Sequence, residues 1–432
     1  MDRSPLPQTD CPGILDLLQG YFEWSHSQAR PLAERERRLK QFSAAICELL
    51  LVQDARFDDK HLRPGPCDCG GTYASKGLRS RTLVTTVGEV TVHRRYYSCD
   101  RCTAHPIPVD QAWGIERGCL SPTAKAEVVD LATALPYREA QQNLDRTGRL
   151  RVSLSTIWRA AQQAGAAVVK ARQRELEEGR TRSGAAKFLQ VMQEVGSVCR
   201  ATLAVDGLFI RICREWREVK IAVIGERDEA GEWIKGRTTY LASAEPAETF
   251  RRLLVRQACS WGITRRSPVV ILSDGAEWIA TLPKRFYPKA RHIVDYWHAK
   301  QYLWKAAHLL FGEGTSKAAA FVEELKPLLW NGEVQRLAER FEAERERRNL
   351  TDPKGVAALK KAGQYLVKRA DLLQYATYQE EGLPIGSGAA ESGCKTLVQS
   401  RMKRSGMNWS PAGAENMLAL RADYCARVAA NS

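Results

Sequence analysis

Three short apolar runs in the second half of the chain each run into an aspartate, and this pattern limits the fold more than any other feature. "ATLAVDG" ends at Asp206, "VVILSDG" at Asp274, and "ARHIVDYW" repeats the idea at Asp295. Apolar runs this short, rich in β-branched residues, read as strands buried on both faces. "REVKIAVIGERD" and "GEWIKGRTTYLAS" add two strand patterns between the first two runs, and "PAETFRRLLVRQACSWG" has helical spacing. Buried strands alternating with helices specify an α/β core. Such cores hold ligands where their strands end. Asp206 and Asp274 are each followed by glycine, which lets the backbone turn sharply and a ligand approach. A single aspartate at a strand end is more often a turn former or helix cap. The matched pair is what points to a site.

From about residue 300 to 379 the pattern is helical, with charged faces such as "AERFEAERERRNL". The chain then closes on "PIGSGAAESGCKTLVQSRMKRSGMNWSP". Its single acid, Glu391, opens a helix crowded by Lys395, Arg401, Lys403 and Arg404. Asp206, Asp274 and Glu391 together could supply oxygen ligands to two magnesium ions, hard cations that share their other positions with water and substrate phosphate. Two such ions can activate an attacking oxygen and stabilise a leaving one. The basic residues would then hold DNA phosphates beside them. Trp409, in the same stretch, reads as a core residue.

Charge supports that partner. The 432 residues carry 65 Lys and Arg against 50 Asp and Glu, a net +15, which suits a polyanion better than a neutral surface does. No apolar stretch reaches the roughly 18 residues of a membrane helix. The opening "MDRSPLPQTD" lacks a signal peptide's apolar centre. The expectation is a cytoplasmic, nucleoid-associated protein with no membrane partner, whose thiols stay reduced.

Of the 12 cysteines, four show ligand spacing: Cys67-x-Cys69 and Cys99-x-x-Cys102. Thiolates on two loops joined by a hairpin can close a tetrahedron around one structural zinc. The metal replaces a core that some 40 residues could hardly build alone. The Cys-x-Cys half is tighter than a usual knuckle, so His93 and His105 stand as substitute ligands. Incidental burial of the four is the plainer alternative, and a zinc with four protein ligands would not catalyse. The other cysteines read as small buried hydrophobes.

The rest divides into modules. Residues 13–57 are helical, with Leu39, Phe42, Ile46, Leu49 and Leu50 at helical spacing, and suit packing or dimerisation. Residues 72–98 are strands around a Val-Gly-Glu-Val turn. "SPTAKAEVVDLATALPYREAQQNLDRTGRLRVSLSTIWRAAQQAG" reads as three helices, the last capped by Ser153 or Ser155. Its apolar face is Ile157, Ala160, Ala161, Ala164 and Val168, which leaves Thr156, Arg159, Gln162 and Gln163 for phosphates and base edges in a major groove. An ordinary three-helix bundle would look the same. "GRTRSGAA", near 179–186, reads as a linker.

"LAVDG", "ILSDG", "HIVDYWHAKQYLW" and "PIGSGAAESGCK" resemble the DDE transposases of bacterial insertion sequences, the ISKra-type family above all, with relatives in the Mutator-like group. The resemblance covers residues from about 200 onward. It implies an α/β ribonuclease-H-like catalytic core with an all-helical insertion, besides the N-terminal helical, zinc-ribbon and helix-turn-helix modules. Motif by motif, the family's acids fall on Asp206, Asp274 and Glu391. Asp295-Tyr296-Trp297-His298 looks like the Mutator-like signature of an acid or cysteine, two residues and a histidine, which makes Asp295 and His298 accessory residues near the site. The boundaries expected are 1–60, 61–117, 118–178, a core of 199–299 with 381–432, and an insertion of 300–380. The implied activity is hydrolysis at element ends and strand transfer into target DNA, with two Mg2+ or Mn2+ ions, by a homodimer or larger assembly. A non-catalytic DNA-binding regulator and a nuclease of the same fold remain rival readings.

Overall fold

The computed structural model describes residues 12–147, 150–178, 200–229, 231–265, 267–386 and 388–431. The expected linker near 179–186 lies outside them, as do Cys11, Gly148 and Cys199. The chain divides into two compact units, Met1–Ala161 and Gln162–Ser432.

In the first unit, helices α1 (Pro12–His26) and α2 (Leu32–His61) precede a two-stranded sheet of β1 (Tyr73–Thr85) and β2 (Gly88–Cys99). Strand alternation buries Val90 and Val92 of β2 with Leu83 and with Ala55 of α2. The register pairs Thr85 with Gly88, so the turn is Thr86–Val87. It lies just before the Gly-Glu centre expected from sequence, because Gly88 supplies the positive φ of 134° as the first residue of β2. Helices α3 (Pro108–Ala112), α4 (Pro122–Ala134), α5 (Tyr137–Thr147) and α6 (Leu154–Glu178) follow. Ser121 caps α4, and Ser153 accepts from Thr156 N at 3.2 Å to cap α6. The three expected modules share this one unit, and its boundary falls inside α6.

The second unit is built on a five-stranded sheet of β3 (Ala201–Ile212), β4 (Glu215–Arg227), β5 (Trp233–Ser243), β6 (Val269–Ser273) and β7 (Arg291–Val294). Their spatial order is β5-β4-β3-β6-β7. β3, β4 and β5 are antiparallel, whereas β3, β6 and β7 run parallel. Helix α7 (Ala247–Ser260) covers one face, where Leu203, Val205 and Ile271 meet Phe250 and Leu254. Ala204, Leu272 and Ile293 point the other way, into a helical layer. Burial on both faces is why these strands are apolar throughout.

That layer comprises α8 (Tyr296–Phe311), α9 (Ser316–Trp330), α10 (Val334–Arg347), α11 (Pro353–Val367) and α12 (Tyr375–Glu380). The chain then returns through α13 (Gly388–Gly393), a π-helical turn (Cys394–Gln399), α14 (Ser400–Met402) and α15 (Pro411–Asn431). Buried Arg421 of α15 donates to the carbonyls of Leu397, at 3.0 Å, and Thr396. Those are carbonyls of the π turn, whose wider ring displaces regular α-helical partners. Among the described residues no helix is long and apolar enough to cross a membrane.

Candidate carboxylate site and metal centre

Strand register brings the aspartates together. β3 and β6 pair Val205 with Ser273, and β6 and β7 pair Ser273 with Val294. The next positions are therefore Asp206, Asp274 and Asp295, three acids abreast: Asp274 and Asp295 directly follow the last residues of β6 and β7, whereas Asp206 lies within β3, which runs on to Ile212 and so does not end where the sequence pattern suggested. Neighbouring strands lie about 4.8 Å apart, so the backbone spacing suits shared ligands.

The three differ in surroundings. Asp206 is half-buried; its Oδ1 accepts from Gly207 N at 2.7 Å and its Oδ2 from the Cys394 thiol at 3.4 Å. Burial raises its carboxyl above the ordinary value, against the two hydrogen bonds, and the charge of Asp274 raises it further. Asp274 Oδ1 accepts from Ala276 N at 2.8 Å. Asp295 is buried and caps α8, accepting from His298 N at 2.8 Å. His298 lies close enough to oppose the rise at Asp206. Glu391 is exposed on α13 and pairs with Lys395 at 2.8 Å.

Burial pushes the Cys394 thiol up, and Asp206, Glu391 and Asp274 add to that shift in turn. The buried thiol thus feels all three carboxylates. Their oxygens nevertheless do not converge: among the described residues, the one group of three or more Cys, His, Asp or Glu side chains within 4.8 Å of one another is the cysteine cluster. The structure places Asp206 beside Asp274 and leaves Glu391 turned to Lys395. An exposed i,i+4 pair of this kind is worth about 0.3–0.5 kcal/mol, too little to fix the side chain.

Sequence reasoning missed the residues that hold the Asp274 turn. Tyr365 of α11 donates its hydroxyl to the Asp274 carbonyl, and Arg369 Nε donates to the Gly275 carbonyl at 2.8 Å. Tyr365 stacks on Tyr302 with ring centres 3.7 Å apart. The helical layer therefore clamps the strand end that carries Asp274. A β-Cβ at Gly275 would meet Arg369 Cδ at 2.8 Å, and its φ is +77°, so glycine is required there.

Behind that turn, Ser273 Oγ accepts from Gly275 N at 3.1 Å and lies 2.8 Å from His292 Nε2. The imidazole tautomer of His292 sets which of the two donates in that contact. Burial, helped by Arg369, lowers the pKa of His292 to about 4. In the unfolded chain it protonates near 6.5. Stability is thus complete above pH 6.5 and declines as pH falls towards 4. The expected loss at pH 5 is about 2 kcal/mol, read as a lower urea midpoint than at pH 7, and His292→Gln should flatten that dependence.

The basic residues separate into two sets. Lys395, Lys403 and Arg404 are exposed beyond Glu391. Arg401, expected at the surface, is 1% exposed, its guanidinium 5.5 Å from the centre of the Trp409 ring. It packs the inside of this lobe and presents no charge to a ligand. On α6, Arg159 is exposed and donates to the Ser155 carbonyl at 3.1 Å. Gln162 accepts from Asn416 Nδ2 at 2.9 Å, and a Cβ at Gly165 would lie 2.4 Å from the Asn416 carbonyl. α6 and α15 touch there, so Gln162 contributes to helix packing.

The cysteines do converge. Cys67 Sγ lies 3.4 Å from Cys69 and 3.5 Å from Cys102, and Cys69 lies 3.5 Å from Cys99. A zinc tetrahedron with bonds near 2.3 Å has edges of about 3.8 Å, so the four sulfurs fit a metal such as zinc. Hydrogen bonds headed by the Tyr73 hydroxyl pull the Cys67 thiol down to about 6, whereas sharing hydrogen bonds with its neighbours pushes Cys69 up to about 12, so without a metal the negative charge settles on Cys67. A Cβ at Gly71 would strike Cys99 Sγ at 2.6 Å, which explains the glycine beside the tight Cys-x-Cys loop. His93 and His105 stay outside the cluster, exposed.

The chain matches the Uncharacterised protein family (UPF0236) over residues 40–429. It belongs to that family. The match spans the UPF0236 chain from within α2 through the cysteine cluster and on past Asp206, Asp274 and Glu391. No curated protein gives a significant match.

Proposed function

We propose that this chain is a DNA transposase of the DDE class, cutting phosphodiesters at element ends and joining the freed 3′-hydroxyl to target DNA. The observation that carries the reading is the register that sets Asp206 of β3 beside Asp274, where the parallel neighbour β6 ends, with Glu391 on a helix brought back after a helical insertion. The strand order β5-β4-β3-β6-β7, with two antiparallel pairings on one side of β3 and two parallel pairings on the other, is that expected of a ribonuclease-H-like core.

The residues fit divalent magnesium or manganese. Asp206 and Asp274 offer hard oxygens, and the raised Asp206 carboxyl marks a negative charge in want of a counter-ion. Glu391 completes the set by leaving Lys395. Bound there, such ions lower the pKa of the attacking water or hydroxyl and neutralise charge on the phosphate. The chain's own residues do the positioning. Tyr365 and Arg369 hold the Asp274 turn, Cys394 orients Asp206, and Asp295 fixes the first turn of α8 and with it His298. Lys395, released from Glu391, is placed to meet a substrate phosphate.

The cysteine ribbon and the helices through Arg159 are the candidate readers of the terminal repeats, in the cytoplasmic, nucleoid-bound setting expected of such an enzyme. Exposed Leu15, Phe22, Leu32 and Phe57 on α1 and α2 support assembly into a homodimer or larger complex. The test uses the full chain, Mn2+ or Mg2+, and DNA carrying the sequences that flank its gene. A product covalently joined to target DNA supports a transposase. Nicking without joining leaves a nuclease, and binding without nicking leaves the regulator.

A further inference from the structure

The β3–β4 hairpin continues well past its neighbour. β6 pairs with β3 over Ala201–Val205 alone, yet β3 and β4 stay paired out to Ile212 and Glu215. The tip, Cys213-Arg214, turns with φ of 52° and 67°, both left-handed and neither a glycine. A two-residue hairpin loop needs left-handed backbone at both positions, and non-glycine residues there benefit from outside support.

Here a strap does the holding. Trp409 N donates to the Arg211 carbonyl at 2.9 Å, Cys213 N to the Trp409 carbonyl at 2.9 Å, and Arg214 N to Asn408 Oδ1 at 2.7 Å. Trp409 is itself anchored by its indole N–H to the Met402 carbonyl at 3.0 Å. The arm is therefore rigid, and the residues on it are pre-placed.

The register sets Arg211 opposite Trp216 and Phe209 opposite Glu218, so all four share one face. Phe209 is 52% and Trp216 60% exposed. Arg211 shares that face and Arg214 sits at the tip, both exposed, and Lys403 Nζ lies 5.6 Å from the Trp216 ring centre; Arg217 falls on the other face. The acids nearby are engaged: Glu215 pairs with Arg217 at 3.0 Å and Glu218 with Lys220 at 3.1 Å. Two exposed rings beside Arg211, Arg214 and Lys403 fit a ligand that alternates flat π systems with phosphates, which is single-stranded DNA. A duplex keeps its bases stacked inside and would use the cations alone.

We propose that this arm binds an unpaired DNA strand, with a base stacked on Trp216 and phosphates on Arg211, Arg214 and Lys403. The proposal rests on the reading of the chain as a DNA-processing enzyme and adds the strand form that its core unit grips. The test measures anisotropy of a fluorescein-labelled oligothymidine 20-mer and a 20-base-pair duplex with the full chain, without divalent ions. Trp216→Ala should weaken the single strand by roughly tenfold or more, Trp216→Phe should retain most of the affinity, and the duplex should bind as before. Arg211→Gln with Lys403→Gln should lower the salt slope for the single strand by about 1 to 1.5. Unchanged single-strand affinity in Trp216→Ala, or an equal loss for the duplex, overturns the proposal and leaves DNA processing standing. Failure of the unaltered chain to bind either DNA overturns both.

Discussion

Asp206→Asn and Asp274→Asn should each reduce DNA cutting by roughly 1,000-fold or more while leaving DNA binding intact. Asparagine keeps the shape of the side chain and can still accept from Gly207 N or Ala276 N. What it removes is the charge that divalent ions require. The stability outcome separates a catalytic role from a structural one. Burial and the charge of Asp274 hold the Asp206 carboxyl above its ordinary range, so its ionised form is strained in the folded chain. Removing that charge should leave the melting temperature unchanged or raise it, the usual exchange between stability and function at such sites. A drop of many degrees with proportionate loss of activity would make Asp206 a fold residue and sink the catalytic assignment. Glu391→Gln offers the sharper contrast. Its carboxylate is exposed and meets Lys395 alone among the bonds described, so any large loss of cutting must come from chemistry.

The strands carrying Asp206, Asp274 and Asp295 were legible because they are buried on both faces and so leave uninterrupted apolar runs. Their adjacency was a matter of register, which hydrogen bonds between distant segments decide and a single sequence does not display. The helical faces were harder. Arg401 looked like a surface cation in a basic run, but the π turn at Cys394–Gln399 intervenes. Each residue such a turn inserts rotates the face that follows by about 100°, so α-helical spacing read through Glu391 mislays everything beyond it. The packing role of Gln162 was hidden for a related reason: its helix runs on into the second unit, where Asn416 of α15 donates to it, a contact between distant segments that helical spacing does not display. Tyr365 and Arg369 left no signal at all, since nothing in a charged helix announces that two of its side chains reach a carbonyl some 90 residues earlier.

The cysteine cluster yields the second large effect. Cys99→Ser or Cys69→Ser should cost the protein its bound zinc, about one per chain, and unfold the β1–β2 ribbon. The core beneath that hairpin is small: Ala55, Leu83, Val90 and Val92 form the buried cluster, with Leu51, Val52, Trp113 and Ile115 partly covering it. Zinc held by four thiolates contributes about 10–16 kcal/mol in small zinc domains, comparable to the whole stability of an ordinary domain. A strong chelator should therefore act like the mutations, removing the ribbon's share of strand signal in circular dichroism and exposing four reactive thiols. Cys47→Ser, outside the cluster, serves as the control and should retain zinc. Because a four-thiolate site leaves no open position, metal loss should act on DNA recognition through the fold and not on phosphodiester chemistry through the ion. Full metal content and an unaltered melt in Cys99→Ser would reduce the four cysteines to packing residues.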